Sequence, residues 1–154
     1  MKVDRASLLV DVEAKTTLGA CEDALRAEGL TLGLEAIDRE RERAIGAWLA
    51  AGAKGARDPW SDPADHLVAG LTATLHDGRT LTVRSAPRRA VGPDLIALVV
   101  GMQERYARVE RAWLRVHRVE APRPEVHPLV AERNPPVTEE EERLLEAIER
   151  ALVP

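Results

Sequence analysis

The residues best equipped for chemistry form a few small groups along the 154-residue chain. Asp62, Asp65 and His66 crowd one segment as D-x-x-D-H, a donor set able to hold a divalent cation. Next to Gly and Pro, such side chains more commonly cap turns by bonding to their own backbone, so the pattern does not assign a metal site. His76 follows a run of alternating residues, while His117 and His127 flank a proline-containing segment, and nothing in the spacing brings them together as an acid–base pair. Cys21 is the only cysteine, which excludes an internal disulfide and any multi-cysteine metal cage. Its position on the apolar face of a helical pattern makes it a core residue before a nucleophile. The chain has neither a G-x-S-x-G nucleophile elbow nor a phosphate-loop lysine motif. Lys54-Gly55-Ala56-Arg57 and Arg84-Ser85-Ala86-Pro87-Arg88-Arg89 supply two basic loops. Solvated loops are the plain reading of both, with an anion or nucleotide contact as the sharper one. No catalytic residue is assigned.

The elements that would carry these groups follow from periodicity. Leu8, Val10, Val12 and Ala14 alternate with Leu9, Asp11 and Glu13, the pattern of a half-buried strand over 8–14. Thr16 or Thr17 can cap a helix over 18–28 with Leu18, Cys21, Ala24 and Leu25 on one face, ended by Gly29. A short extended piece near Leu30–Leu34 and a loop or helix entry at Asp38–Arg43 precede a short buried helix over 44–53. Residues 54–65 read as loop, and Leu67, Ala69, Leu71, Ala73 and Leu75 mark a second strand over 66–76. Asp77-Gly78 predicts a two-residue hairpin turn into a strand over 79–84. Pro93 and Asp94–Val100 suggest a compact helix, and 106–119 alternates as one long strand. Five prolines between 122 and 136 mark a linker, and Thr138 with Glu141 forms a capping box for a last helix. The expected fold is α+β: a mainly antiparallel sheet with helices mostly on one face, in a domain over 1–121, a linker over 122–137 and an amphipathic helix over 138–152.

Bulk properties narrow the function classes. A net charge of −4 gives no general attraction to nucleic acid or to an anionic membrane. The N-terminal MKVDRASLLVDVEAK has no apolar run long enough for a signal or a span, so a cytoplasmic protein without membrane insertion is expected. With no Phe and 3% aromatic residues, the core must be built from Leu, Val, Ile and Ala.

Taken in order, specific residues resemble a known family. Val10-Asp11-Val12-Glu13-Ala14, the helix from Leu18 to Gly29, and Ala44-Ile45-Gly46-Ala47 stand where that family has a strand, a helix and a Thr–aliphatic–Gly–Gly turn. Asp65 to Gly78 covers a hairpin, and Gly92-Pro93-Asp94-Leu95-Ile96-Ala97-Leu98 matches a Gly-x-Asp-aliphatic helix. Gly101 to Glu110 stands for Gly-Ser-Glu-Gly-x-Leu-Gly followed by two aliphatic residues and Thr. Residues from about Val3 to Pro122 thus resemble the second half of the FAD-binding domain of the vanillyl-alcohol-oxidase type (FAD-binding type 4). Glycolate oxidase flavoprotein subunit, D-lactate dehydrogenases and alkyl-dihydroxyacetonephosphate synthase carry such a domain. The resemblance implicates Gly46, Asp94, Gly101 and Val109 in cofactor binding if flavin is retained.

The departures point away from an intact flavin site. Close approach of a phosphate or ribityl chain to backbone N–H groups needs glycine. Here Ala47, Glu104 and Ala107 replace glycines, and Met102 and Gln103 replace the Ser and Glu. The family's glycine-rich pyrophosphate loop and cap domain have no counterpart in these 154 residues. The expectation is therefore a degenerate, non-catalytic binding or assembly module working through a protein partner or as a homo-oligomer, with no cofactor held by the isolated chain. The alternatives are one subunit of a split FAD-dependent oxidoreductase of the glycolate or D-lactate oxidase type, with FAD present if a partner supplies the missing half-site, and a small-ligand or nucleotide-binding protein reusing the old cleft. Alternation puts Arg111, Trp113 and Arg115 on one face of the last strand, and the final helix carries Leu145 and Ile148 in an apolar stripe flanked by glutamates. Docking of that helix on a sheet surface, its own or a second copy's, is expected through these five residues.

Overall fold

The structure, a computed structural model, describes residues 1–34, 37–53, 67–85, 95–120 and 139–152. Five strands form one sheet in the order β1-β2-β6-β4-β5, every neighbouring pair antiparallel: β1 (Lys2–Asp4), β2 (Leu9–Glu13), β4 (Val68–Leu75), β5 (Thr80–Val83) and β6 (Ala107–Arg115). A two-stranded ribbon pairs β3 (Leu30–Thr31) with β7 (His117–Arg118). The helices are α1 (Leu18–Arg26), α2 (Ile45–Ala50) and α3 (Glu139–Leu152). The expected α+β class and mainly antiparallel sheet are both present.

Alternation explains why the sheet has one dry face. Val10, Val12, Leu71, Ala73, Ala112 and Leu114 are wholly buried, and they share one apolar cluster with Leu18, Cys21 and Leu25 of α1 and Ile45, Trp48 and Leu49 of α2. Burying a Leu, Ile or Val side chain contributes about 1.5–3 kcal/mol, so this cluster is what holds the helices to the sheet. Trp48 is the bulkiest of the fully buried side chains among the described residues.

Local chemistry sets the helix ends. Thr17 caps α1, its Oγ1 accepting from the Ala20 N–H at 3.2 Å. Within α1, the buried Glu22 carboxylate (4% exposed) accepts from the Thr31 hydroxyl at 2.6 Å, from the Leu32 N–H at 2.9 Å and from Arg26 Nε at 2.6 Å. One side chain thus ties β3 to the helix that precedes it.

Four details differ from the sequence expectation. The three-residue edge strand β1 has no counterpart in the sequence pattern; Val3 alone among its residues is partly buried, and so short a stretch shows no period. The chain turns between β4 and β5 through His76, Asp77 and Gly78, with Gly78 alone left-handed (φ 84°), and the Leu75 N–H donates to the Arg79 carbonyl. That is a three-residue turn, since a two-residue type I′ turn would need Asp77 left-handed as well. The strand over 106–119 is divided: Val116 donates its N–H to Leu8, and the chain then leaves the main sheet to pair Arg118 with Leu30. Instead of a helix over 94–100, the described part is a 3₁₀ turn at Leu95–Leu98. The linker 122–137, Thr138, the D-x-x-D-H segment, Lys54–Arg57, most of the second basic loop, Asp94 and His127 lie outside the described residues.

Candidate functional site

The residues just after β2 meet the N-terminus of α2, which follows some thirty residues later in the chain, and this junction forms one wall of a cleft. The Ile45 N–H donates to the Thr16 carbonyl and the Gly46 N–H to the Ala14 carbonyl, at 2.9 and 2.8 Å. A Cβ on Gly46 would lie 2.9 Å from Ala14 Cβ, so glycine is required for so close an approach. The opposite wall is the first half of β6, where Arg108, Val109, Glu110 and Arg111 stand beside a bulge that leaves Glu110 without an opposite residue on β4. Between them opens a cleft of ≈ 600 Å³, lined by Glu13, Ala14, Lys15, Ala44, Gly46, Ala47, Glu104 and these four residues.

The lip of the cleft is the loop before β6. The Gly101 N–H donates to Leu49 and the Gln103 N–H to Ala50, both at 2.9 Å, which fastens the loop to the end of α2. Gly101, Gln103 and Glu104 are all left-handed, with φ of 82°, 53° and 61°. For a non-glycine residue that conformation costs about 1–2 kcal/mol. The loop therefore keeps a backbone shape suited to glycine while carrying side chains at two of its three left-handed positions.

The charges of the cleft are matched among themselves. Lys15 Nζ lies 2.9 Å from Glu13 Oε2, and Arg108 Nε lies 3.3 Å from Glu110 Oε1. Arg111 grips Asp11 with two bonds, Nε to Oδ1 at 3.2 Å and Nη2 to Oδ2 at 2.8 Å, and its Nη1 reaches Glu13 at 3.8 Å. The Lys15 bond, followed by the nearby positive charges, holds the Glu13 carboxyl below its ordinary value; the Asp11 bond raises Arg111 further. Glu104 is exposed and has no ion-pair partner among the described residues.

Of the four residues implicated in cofactor binding, Gly46 and Val109 meet in this cleft. Gly101 instead packs against Gly52, its notional Cβ 3.6 Å from the Gly52 Cα, and Asp94 is outside the described residues. Glu13, Lys15 and the Arg108–Glu110 pair were not singled out from sequence; their alternation identified strands but gave no sign of which ends would converge. Arg111, Trp113 and Arg115 do share the face of β6 opposite the core, each half-buried, with Trp113 opposite Asp11. On α3, Ile148 is half-buried and Leu144 is 60% exposed, while the side chain of Leu145 lies outside the described set. His76 Nε2 is 2.8 Å from the Arg105 carbonyl, and burial pushes the Cys21 thiol up to about 12, which keeps it protonated and unreactive at neutral pH. Among the described residues no three His, Cys, Asp or Glu side chains converge as a metal site requires, and no described helix is long and apolar enough to cross a membrane.

No family model matches the chain. It is 27% identical over 101 residues to the uncharacterized FAD-linked oxidoreductase YgcU of Escherichia coli K12, and equally to that of strain O157:H7. The match covers 66% of this chain but 21% of the relative, so the chain spans about a fifth of the length of the curated relatives it matches. Among solved structures, alkyldihydroxyacetonephosphate synthase superposes with a TM-score of 0.63 at 23% identity, over 79% of this chain and 21% of that one. A second crystal form of that protein gives 0.61 at 22% identity, over 77% and 21%. The chain is thus similar to part of an FAD-linked oxidoreductase and has the fold of one segment of the synthase.

Proposed function

We propose that this chain is a non-catalytic module of flavin-domain ancestry that works through protein contacts, with a partner or a second copy, rather than by holding FAD itself. The observation that carries this reading is the state of the cleft. An anionic cofactor needs uncompensated cations or bare backbone N–H groups. Here Lys15, Arg108 and Arg111 are each engaged by a carboxylate, Ala47 replaces a glycine on the wall, and Glu104 adds a negative charge at the lip. The Trp-bearing outer face of β6, with Arg111 and Arg115, is the surface offered for a protein partner.

The test is a titration of the isolated chain with FAD, followed by flavin fluorescence. No saturable binding in the micromolar range is expected, and saturable micromolar binding would overturn the reading. Replacing Glu104 and Ala47 by glycine should produce weak binding where the native chain shows none.

One observation favours a second reading, a subunit of a split FAD-dependent oxidoreductase. The left-handed backbone at 101, 103 and 104 persists although two of these residues are not glycine, as though the cradle were still in use. A complex purified with a partner protein and showing flavin absorbance would favour that alternative.

A further inference from the structure

We propose that a second cleft, on the far side of the molecule from β5, receives the terminal helix α3 of a second copy of this chain, the two copies exchanging helices reciprocally. This deepens the reading of the chain as an assembly module and rests on it. The cleft lies where the β1–β2 turn, the end of α1 and the β3–β7 ribbon meet, and its volume is ≈ 610 Å³. Its apolar surface comes mainly from Leu8 and Val119, the latter 44% exposed, over the buried Leu30, and three guanidinium groups, Arg5, Arg26 and Arg118, outnumber the two carboxylates on its lining, Glu28 and Glu120.

One of these cations, Arg118, differs from those of the first cleft, each of which has a carboxylate partner. Arg26 places its Nε on Glu22, yet the side chain remains 51% exposed. Arg5 bonds Glu28 through Nη2 and is 64% exposed. Arg118 has no ion-pair partner among the described residues. A guanidinium presents five N–H donors in a fork, so each can accept a further carboxylate. On the outer sheet face, by contrast, Arg111 already commits two donors to Asp11, which makes that face a poorer receptor for an acidic helix.

The occupant is argued from α3 itself. Its 14 residues hold six glutamates and two arginines, which equals the whole net charge of −4 on the chain, so the rest of the molecule is neutral. Leu144, Ile148 and Ala151 follow at i, i+4 and i+7, a single stripe. Leu144 is 60% exposed and Ile148 half-buried, and among the described residues none of α3 lines the cleft of its own chain. A helix of this length spans about 21 Å, enough to lay the stripe across the cleft and set glutamates against its arginines. Reciprocal exchange about a two-fold axis uses both helices and both clefts and closes as a dimer.

Sedimentation velocity on the full chain, with circular dichroism to confirm folding, decides it. The native chain should sediment as a dimer that dissociates on dilution. Leu144→Glu combined with Ile148→Glu should weaken association roughly tenfold or more, because the lost contact is apolar burial. Arg118→Glu should weaken it independently. Mixing the helix variant with the Arg118→Glu variant should restore a dimer, since one intact helix then meets one intact cleft. A native chain that stays monomeric, as when each helix covers its own cleft, overturns the proposal, and so does a dimer indifferent to these replacements. FAD binding by the lone chain would sink the preceding reading while leaving these association constants as they are.

Discussion

At position 46 two opposite effects of one methyl group can be weighed. Alanine is ordinarily better than glycine inside a helix by about 0.8–1 kcal/mol, so Gly46→Ala in α2 ought to stabilise. Its Cβ would instead meet Ala14 Cβ at 2.9 Å and crowd the Ala14 carbonyl at 3.4 Å. Forcing a methyl into packed structure costs about 1–3 kcal/mol, and the strand on the other side is fixed by the Gly46–Ala14 hydrogen bond. Gly46→Ala should therefore lower the unfolding free energy, measured by urea denaturation, by up to about 2 kcal/mol, the net of the two effects; a rise would mean that the contact between Ala14 and α2 gives way. Gly46 and Val109 are legible in the sequence because the resemblance fixes their places in an ordered set of motifs. The left-handed backbone of Gln103 and Glu104 is not, because neither side chain signals that conformation; it is imposed by the bonds of the loop to α2.

The next scale up is set by how elements are tied, and Glu22 is the clearest tie. Removing its carboxylate strands the Thr31 hydroxyl and the buried Leu32 N–H, each at a cost of about 1–3 kcal/mol. The exposed arm to Arg26 adds little. Glu22→Ala should cost roughly 2–4 kcal/mol on that basis, and amide exchange at Leu32 should accelerate more than at Val12 in the sheet. Equal acceleration at both would show that the carboxylate acts on global stability and not on the β3 junction. Nothing in the sequence marks Glu22, which looks like any glutamate paired with an arginine four residues on. The strands at Leu9–Glu13, Val68–Leu75 and Thr80–Val83 are legible because apolar and polar residues alternate in them with a period of two, Val10 and Val12 with Asp11 and Glu13, Leu71 and Ala73 with Thr72 and Thr74, Leu81 and Val83 with Thr80 and Thr82, although Val68–Leu71 is buried at every position and Thr80–Val83 is nowhere fully buried. The division of the last strand is hidden for the same reason: Ala112, Leu114 and Val116 keep that period straight through the break. What ends β6 is a change of partner, which is a property of the fold and not of the local residues.

For the molecule as a whole, the order β1-β2-β6-β4-β5 places the last-made strand of the five-stranded sheet at its centre. The Asp11–Arg111 pair joins residues 100 positions apart, and β4 also depends on β6 for one of its two neighbours. This has a kinetic meaning. On a ribosome, β2 is made early but waits for nearly the whole domain before its central partner emerges, and until then its apolar face is open to water. Closing so long a loop is entropically costly before any contact offsets it, and folds dominated by distant pairings acquire their structure in milliseconds to seconds. Stopped-flow refolding followed by Trp fluorescence should fall in that slow range. Leu114→Ala, in the strand that everything else waits for, should slow refolding more than Leu81→Ala on β5; equal slowing would place the nucleus elsewhere. A strand that arrives last and sits at the centre makes nascent chains of this protein dependent on whatever shields β2 in the interval.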